Sequence, residues 1–198
     1  MSAEQAFAFV VFAGVAAITP GPSNVMLTVT GALVGVARGL PCLLGVASGM
    51  GLMMFVVAFG VGAIVVAHPL LLLAAKWSGA AFLLWLAWKI ANAPHGSSSG
   101  EGRDAIGFAG AFAFQWLNPK SWLVSISASG TYLRPDAPAL VQAGWIAGLF
   151  FLVAVASGFA WLAFGTAMRG LLKSPRLQKA FNWAMAALLA ASVLLFVL

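Results

Sequence analysis

The sequence predicts an all-α integral membrane protein: six transmembrane helices forming two inverted three-helix repeats, with helices 1 and 4 broken at mid-membrane. Three observations carry this expectation. The chain is too oily for a water-soluble domain, its apolar residues fall into six runs of membrane-spanning length, and two of those runs are interrupted by proline at corresponding places. Of 198 residues, 63% are hydrophobic and 7% charged, where a soluble domain carries about 25% charged. Mean hydropathy is +1.03. A single transmembrane domain over residues 1–198 is expected, with repeat one at 4–91, a linker at 92–104 and repeat two at 105–198.

A span needs about 20 apolar residues, and turn-forming or polar breaks divide the chain. Glu4–Val36 is the first span. The stretch before its apolar run holds Glu4 and no Lys or Arg, unlike the basic start of a signal peptide, so it reads as a mature helix. Arg38, Gly39 and Pro41 predict a short loop before span two, about Leu40–Val66. His68-Pro69 predicts a tight turn before span three, Leu70–Ala91. The Gly- and Ser-rich segment 92–104 is the flexible linker. Span four is Ala105–Leu133, interrupted at Asn118-Pro119-Lys120; after a turn at Arg134–Pro138 come span five, Ala139–Met168, and span six, Leu177–Leu198.

Basic residues orient the spans. Arg38, Lys89, Arg103, Arg169, Lys173, Arg176 and Lys179 fall on one side, and Lys76 and Arg134 on the other. The positive-inside rule puts the richer side and the linker in the cytoplasm, with both termini outside it. The net charge of +6 therefore reports topology, with Arg169–Lys179 as a topological anchor and contact of that loop with anionic membrane lipid as the alternative, and no nucleic-acid partner is expected. Trp77, Trp85, Trp88, Trp145, Trp161 and Trp183 are expected near span ends or facing lipid, and Met50, Met53 and Met54 in the core.

The first interruption is Thr19-Pro20-Gly21-Pro22-Ser23-Asn24, inside an apolar run without a charge from Phe7 to Val36. Pro20 and Pro22 remove two backbone donors, and their rings clash with the carbonyls four residues back, Ala16 and Ile18. Gly21 lets the backbone leave helical geometry, and Pro22 suits the first position of a second half-helix. In hydrocarbon such freed groups are tolerated only where they face protein or a wet cavity. A plain proline kink is the bland alternative, but two prolines around a glycine, followed by Ser23 and Asn24, favour a site.

The second half of the chain repeats the first. Slid without a gap, Pro20 falls on Pro119, Thr28 on Ser127, Thr30 on Ser129, and Gly45 and Gly49 on Gly144 and Gly148. A slightly larger offset sets Pro69 on Pro175 and Trp77 on Trp183. Three spans per repeat is an odd number, so the second copy must be inverted. Inverted repeats with interrupted helices at corresponding positions point to a secondary transporter with a midplane site. Both glycine pairs permit close helix crossing, expected within the monomer, with a homodimer contact as the alternative.

Each break offers two kinds of polar end. The carbonyls of Ala16, Ile18 and Gln115 suit a cation, and the amides near Ser23-Asn24 and Lys120-Ser121 suit an anion. A zwitterion needs both, and an α-amino acid is the simplest that fits: carboxylate on the helix N-termini and Lys120, ammonium on the carbonyls and the oxygens of Asn24, Asn118 or Gln115. Lys120 lies roughly 15 Å from either interface at helical rise, and an ionisable residue at such depth is a functional hypothesis by default.

Other classes lack their residues. No phosphate loop and no His-Glu-x-x-His motif occurs, and Ser23 lacks a credible base, so no enzyme is expected. The single Cys42, with His68 in a turn, offers too little for a metal centre, and no cofactor is expected. An inorganic-ion transporter remains an alternative, as does a passive small-solute channel, although polarity is concentrated at two points in otherwise oily spans.

The Pro20-Gly21-Pro22 break, the Asn118-Pro119-Lys120 break and the length of the chain resemble the LysE/RhtB family of bacterial amino-acid exporters. The stretch Trp77–Lys89 is similar to the third span of its cysteine/O-acetylserine branch. The resemblance covers essentially the whole chain. It implies export of small amino acids across the bacterial inner membrane, driven by the proton-motive force. It also implies that Pro20, Gly21, Pro22, Asn118, Pro119 and Lys120 belong to the substrate site, and it alone supplies the direction of transport.

Overall fold

The computed structural model describes residues 2–93 and 105–197, and the expected linker lies almost wholly outside the described residues. Those residues form helices and connecting turns, with no strand among them. The helices are α1 (Ala3–Ile18), α2 (Pro22–Val56), α3 (Gly62–Ala67), α4 (Pro69–Ala91), α5 (Phe108–Leu117), α6 (Pro119–Tyr132), α7 (Ala139–Met168) and α8 (Pro175–Val197). A π-helical turn, Val57–Val61, joins α2 to α3, and a short 3-10 turn, Leu171–Lys173, precedes α8. Among the described residues, three helical stretches are long and apolar enough to cross a membrane: Pro22–Ala67, Ala139–Met168 and Pro175–Leu194. Ala3–Ile18 and Phe108–Leu117 are shorter apolar helices.

Local chemistry sets the helix ends. Ser2 and Gln5 form a reciprocal capping box at the start of α1. Helices α2, α4, α6 and α8 each begin on a proline, which lacks the N–H that a first turn leaves unpaired in any case.

One boundary differs from the expectation. Arg38, Gly39 and Pro41 form no loop, because α2 is helical through all three. The chain reverses instead at Gly35, whose φ of 81° and ψ of 177° lie where only glycine is unstrained. The reversal is visible along α7. A Cβ at Gly31 would meet Leu162 and Thr166, and one at Gly35 would meet Arg169. Beyond Gly35 the order runs backwards: Gly39 faces Leu162, Leu43 reaches Gly158, and Gly51 faces Ala147 and Phe151. Arm 22–34 of α2 thus runs parallel to α7 and arm 36–56 antiparallel to it. Gly35 escapes a sequence reading because valines flank it, whereas Arg38-Gly39 and Pro41 look like a turn.

Glycine brings the arms close. A Cβ on Gly31 would sit 2.1 Å from the carbonyl oxygen of Leu162, and one on Gly165 2.0 Å from that of Thr28. Gly45 and Gly49 likewise hold α5 against α2, facing the carbonyls of Phe108 and Phe112. Their counterparts do not pack this way, since a Cβ on Gly144 or Gly148 would meet nothing within 4 Å. The expectation that both pairs serve packing inside the monomer therefore holds for the first alone.

Two apolar clusters make the interior. One joins Leu27, Leu43, Leu83, Phe114, Leu162 and Leu189; the other joins Phe9, Met50, Met54, Ile146 and Phe150. Met53 is buried with them. Trp77, Trp85, Trp88, Trp145 and Trp183 are exposed. Trp161 departs from that pattern: it packs against the first cluster, with its Nε1 buried.

The turn before α7 is held by Gln142, whose Oε1 accepts the Arg134 amide at 2.8 Å and whose Nε2 donates to the carbonyls of Arg134 and Ala137, both at 2.9 Å. Gln142→Leu is expected to lower stability by about 1–3 kcal/mol, the cost of leaving such groups unpaired. The melting midpoint of the detergent-solubilised protein reads this, and an unchanged midpoint would mean that water replaces the amide. On the surface of the same turn, hydrogen bonds from Arg134 hold the Asp136 carboxyl below the usual carboxylate range. That contribution is present above the unfolded pKa and lost as pH falls through the folded one; between two exposed groups it is small.

Candidate functional site

The two interruptions meet. Helix α1 ends at Ile18, and helical geometry resumes at Pro22, with Gly21 extended at φ −174°. Asn118, also extended, separates α5 from α6. Its side-chain oxygen accepts the Lys120 amide at 3.1 Å and so caps α6. The breaks are joined side by side: Asn118 Nδ2 donates to Ser23 Oγ at 3.1 Å, and Ser23 donates on to Gln115 Oε1 at 2.9 Å. Ser121 donates to the same Gln115 oxygen at 3.1 Å. The two broken segments run antiparallel, since Lys120 reaches Thr19 while Tyr132 donates to the Ala8 carbonyl at 3.3 Å.

Gln115 keeps its carbonyl engaged, accepting the Asn118 amide at 3.3 Å. Ala16 lines the space beside the break. The carbonyls of Ala17 and Thr19 turn toward a side chain: Asn24 Nδ2 donates to both, at 2.9 Å each. Asn24 thereby ties the last turn of α1 to the first turn of α2 across the break.

Lys120 is half-buried, and its Nζ donates to the Thr19 carbonyl at 2.6 Å. Gly21 makes this reach available, because a Cβ there would come within 2.9 Å of Lys120 Cδ. Among the described residues no carboxylate pairs with Lys120; the ion pair they contain, Arg134–Asp136, lies at the turn before α7. The α2 N-terminus has no side-chain cap, so its partial positive charge adds to that of the ammonium. A partly desolvated cation beside an open helix N-terminus calls for an anion.

These groups line a cavity of about 60 Å³. At roughly 10–15 Å³ per water on this measure, it holds a few heavy atoms. Gly21, Ser23, Asn24, Gln115, Asn118 and Lys120 all line it. Pro20 is exposed, while Pro22 and Pro119 are buried and open helices without lining the cavity. The opposite wall could not be read from the sequence. It comes from Val46 and Met50 of the second α2 arm and from Phe150, Ala154, Ser157 and Gly158 of α7, none of which carries a motif.

Fold and site together define a helical membrane protein with a small cavity, several polar side chains set in a largely apolar lining, where two interrupted helices meet. The sequence matches the family described as LysE type translocator over residues 14–198. Similar curated proteins include the cysteine/O-acetylserine efflux protein of Salmonella typhimurium (strain LT2), 31% identical over 152 residues that cover 77% of this chain and 76% of that protein. The protein of the same description from Escherichia coli O157:H7 is 32% identical over the same shares. No solved structure matches. The chain belongs to the LysE-type translocator family.

Proposed function

We propose that the protein is a secondary active exporter of small amino acids, of the cysteine/O-acetylserine or threonine/homoserine kind, across the bacterial inner membrane, coupled to protons. The observation that carries this reading is the cavity at the junction of the two breaks, with Lys120 facing no carboxylate among the described residues. A substrate carboxylate supplies the missing anion, held by Lys120 and the uncapped start of α2. The ammonium takes acceptor oxygens across the cavity. Asn24 Oδ1 is suited to it, because the amide nitrogen of that residue is committed to Ala17 and Thr19. Among the described residues the cavity lining holds no carboxylate, thiol or imidazole, which favours an amino acid over a divalent metal.

The antiparallel course of the two broken segments, and the opposite directions of the α2 arms along α7, support six spans in two inverted repeats. Such an architecture lets one bundle rock against the other around a fixed site. Arg169 lies against the Gly35 reversal, with Arg38 just beyond it, while Arg134 sits at the opposite end of α7. That distribution supports a cytoplasmic Gly35 end and termini outside the cytoplasm.

The test is flux through proteoliposomes for cysteine, O-acetylserine, threonine, homoserine, lysine and arginine, with and without a pH gradient. Uphill movement of a small neutral amino acid that an uncoupler abolishes is the expected result. Strictly downhill movement would indicate a channel, and no amino-acid flux would return the inorganic-ion alternative.

A further inference from the structure

We propose that Ser157 is the specificity-determining residue for the cargo side chain: its hydroxyl selects small amino acids that carry a hydroxyl, thiol or short ester over apolar ones of equal size. The inference rests on the amino-acid reading above and extends it to the half of the cavity that holds the side chain.

The cavity is chemically divided. Its break side carries Ser23, Asn24, Gln115, Asn118, Lys120 and Ser121, a set suited to the charged groups common to all amino acids. Its α7 side is made of Phe150, Ala154 and Gly158 around Ser157. With the zwitterionic groups on the break side, the cargo side chain points at this wall. The space beside Gly158 is filled by Leu43 and Leu27, and of these four α7 residues Ser157 alone carries a polar side chain.

Ser157 Oγ is buried and has no hydrogen-bond partner among the described residues. Helical hydroxyls in this protein commonly satisfy themselves on the carbonyl four residues back. Thr28, Ser129 and Thr166 do so at 2.9 Å, donating to Asn24, Ser125 and Leu162. Ser157 makes no such bond. Among the described residues two other buried polar atoms share its unpaired state, Ser125 Oγ and Trp161 Nε1, but neither residue lines the cavity. A buried hydroxyl left unpaired is unfavourable, and a ligand atom able to bond it removes that penalty only when the ligand is polar at the right place. A site built to bond a polar atom discriminates against the analogue that lacks it far better than an apolar wall discriminates the reverse.

The experiment compares matched pairs in proteoliposomes of the full-length protein: cysteine against 2-aminobutyrate, and threonine against valine. The wild type is expected to move the polar member of each pair about 10-fold faster at sub-saturating concentration. Ser157→Ala is expected to bring both ratios to about one, and Ser157→Thr to restore a preference. A general folding defect would lower both members equally and leave the ratios unchanged, so it cannot imitate this result. Ratios unchanged in Ser157→Ala, or a wild type without preference, would overturn the inference while leaving the exporter reading intact. No flux of any of the four would overturn both.

Discussion

Lys120→Ala is expected to cut amino-acid efflux by about 100-fold or more while leaving the protein folded. Truncating one partner of a buried, hydrogen-bonded charge pair costs about 2–5 kcal/mol, and each 1.4 kcal/mol is tenfold in affinity. On the proposed reading the loss falls on binding: among the described residues Lys120 Nζ donates to the Thr19 carbonyl and pairs with no carboxylate, and the substrate carboxylate is its partner. The fold is spared for the same reason: the variant removes a half-buried cation that no described carboxylate balances. Lys120→Arg should retain part of the activity, since it keeps the charge but replaces a compact ammonium by a broader planar group. Transport by reconstituted variants, alongside their elution from size exclusion in detergent, separates the two effects. Wild-type flux in Lys120→Ala would take Lys120 out of the site.

Gly165→Leu should have the largest effect on folding. Even its Cβ would lie 2.0 Å from the Thr28 carbonyl oxygen, and the obstacle is backbone, which cannot turn aside as a side chain can. α7 would have to withdraw from the first arm of α2, breaking the contact on both sides of the Gly35 reversal. Overpacking typically costs about 1–3 kcal/mol; with backbone on backbone the upper end or beyond is expected, read as loss of monodisperse protein after solubilisation. Gly148→Ala is the control. Nothing lies within 4 Å of its added methyl, and a change within about 0.5 kcal/mol is expected. Equal damage from both would mean that the helix contact seen at Gly31 and Gly165 does not set stability.

Gly148 and its neighbour Gly144 show where a sequence reading stops. Gly144 and Gly148 repeat the spacing of Gly45 and Gly49, yet only the earlier pair meets another helix. Spacing along one helix states which residues share a face; it does not state what that face meets. Gly35 poses the problem in another form, because a lone glycine between valines gives no local sign of reversal until both α2 arms are laid along α7. Trp161 likewise has the residue type of an interfacial belt but the position of a core residue.

By itself the sequence determined what depends on neighbours along the chain. Proline has no N–H to give to the carbonyl four residues back, so the interruptions at Pro20–Pro22 and Asn118–Lys120, where it stands beside glycine or asparagine, were legible in the residues, as were the apolar length of the helices and the isolation of Lys120 from any nearby acid. Tertiary structure alone decided the rest. It set Ser23, Gln115 and Asn118 in one hydrogen-bonded chain, carried Lys120 to the Thr19 carbonyl, and brought Ser157 into the lining of the same cavity. Those contacts join residues far apart in the chain, and their partners are chosen by packing geometry, which no local pattern of residue types encodes.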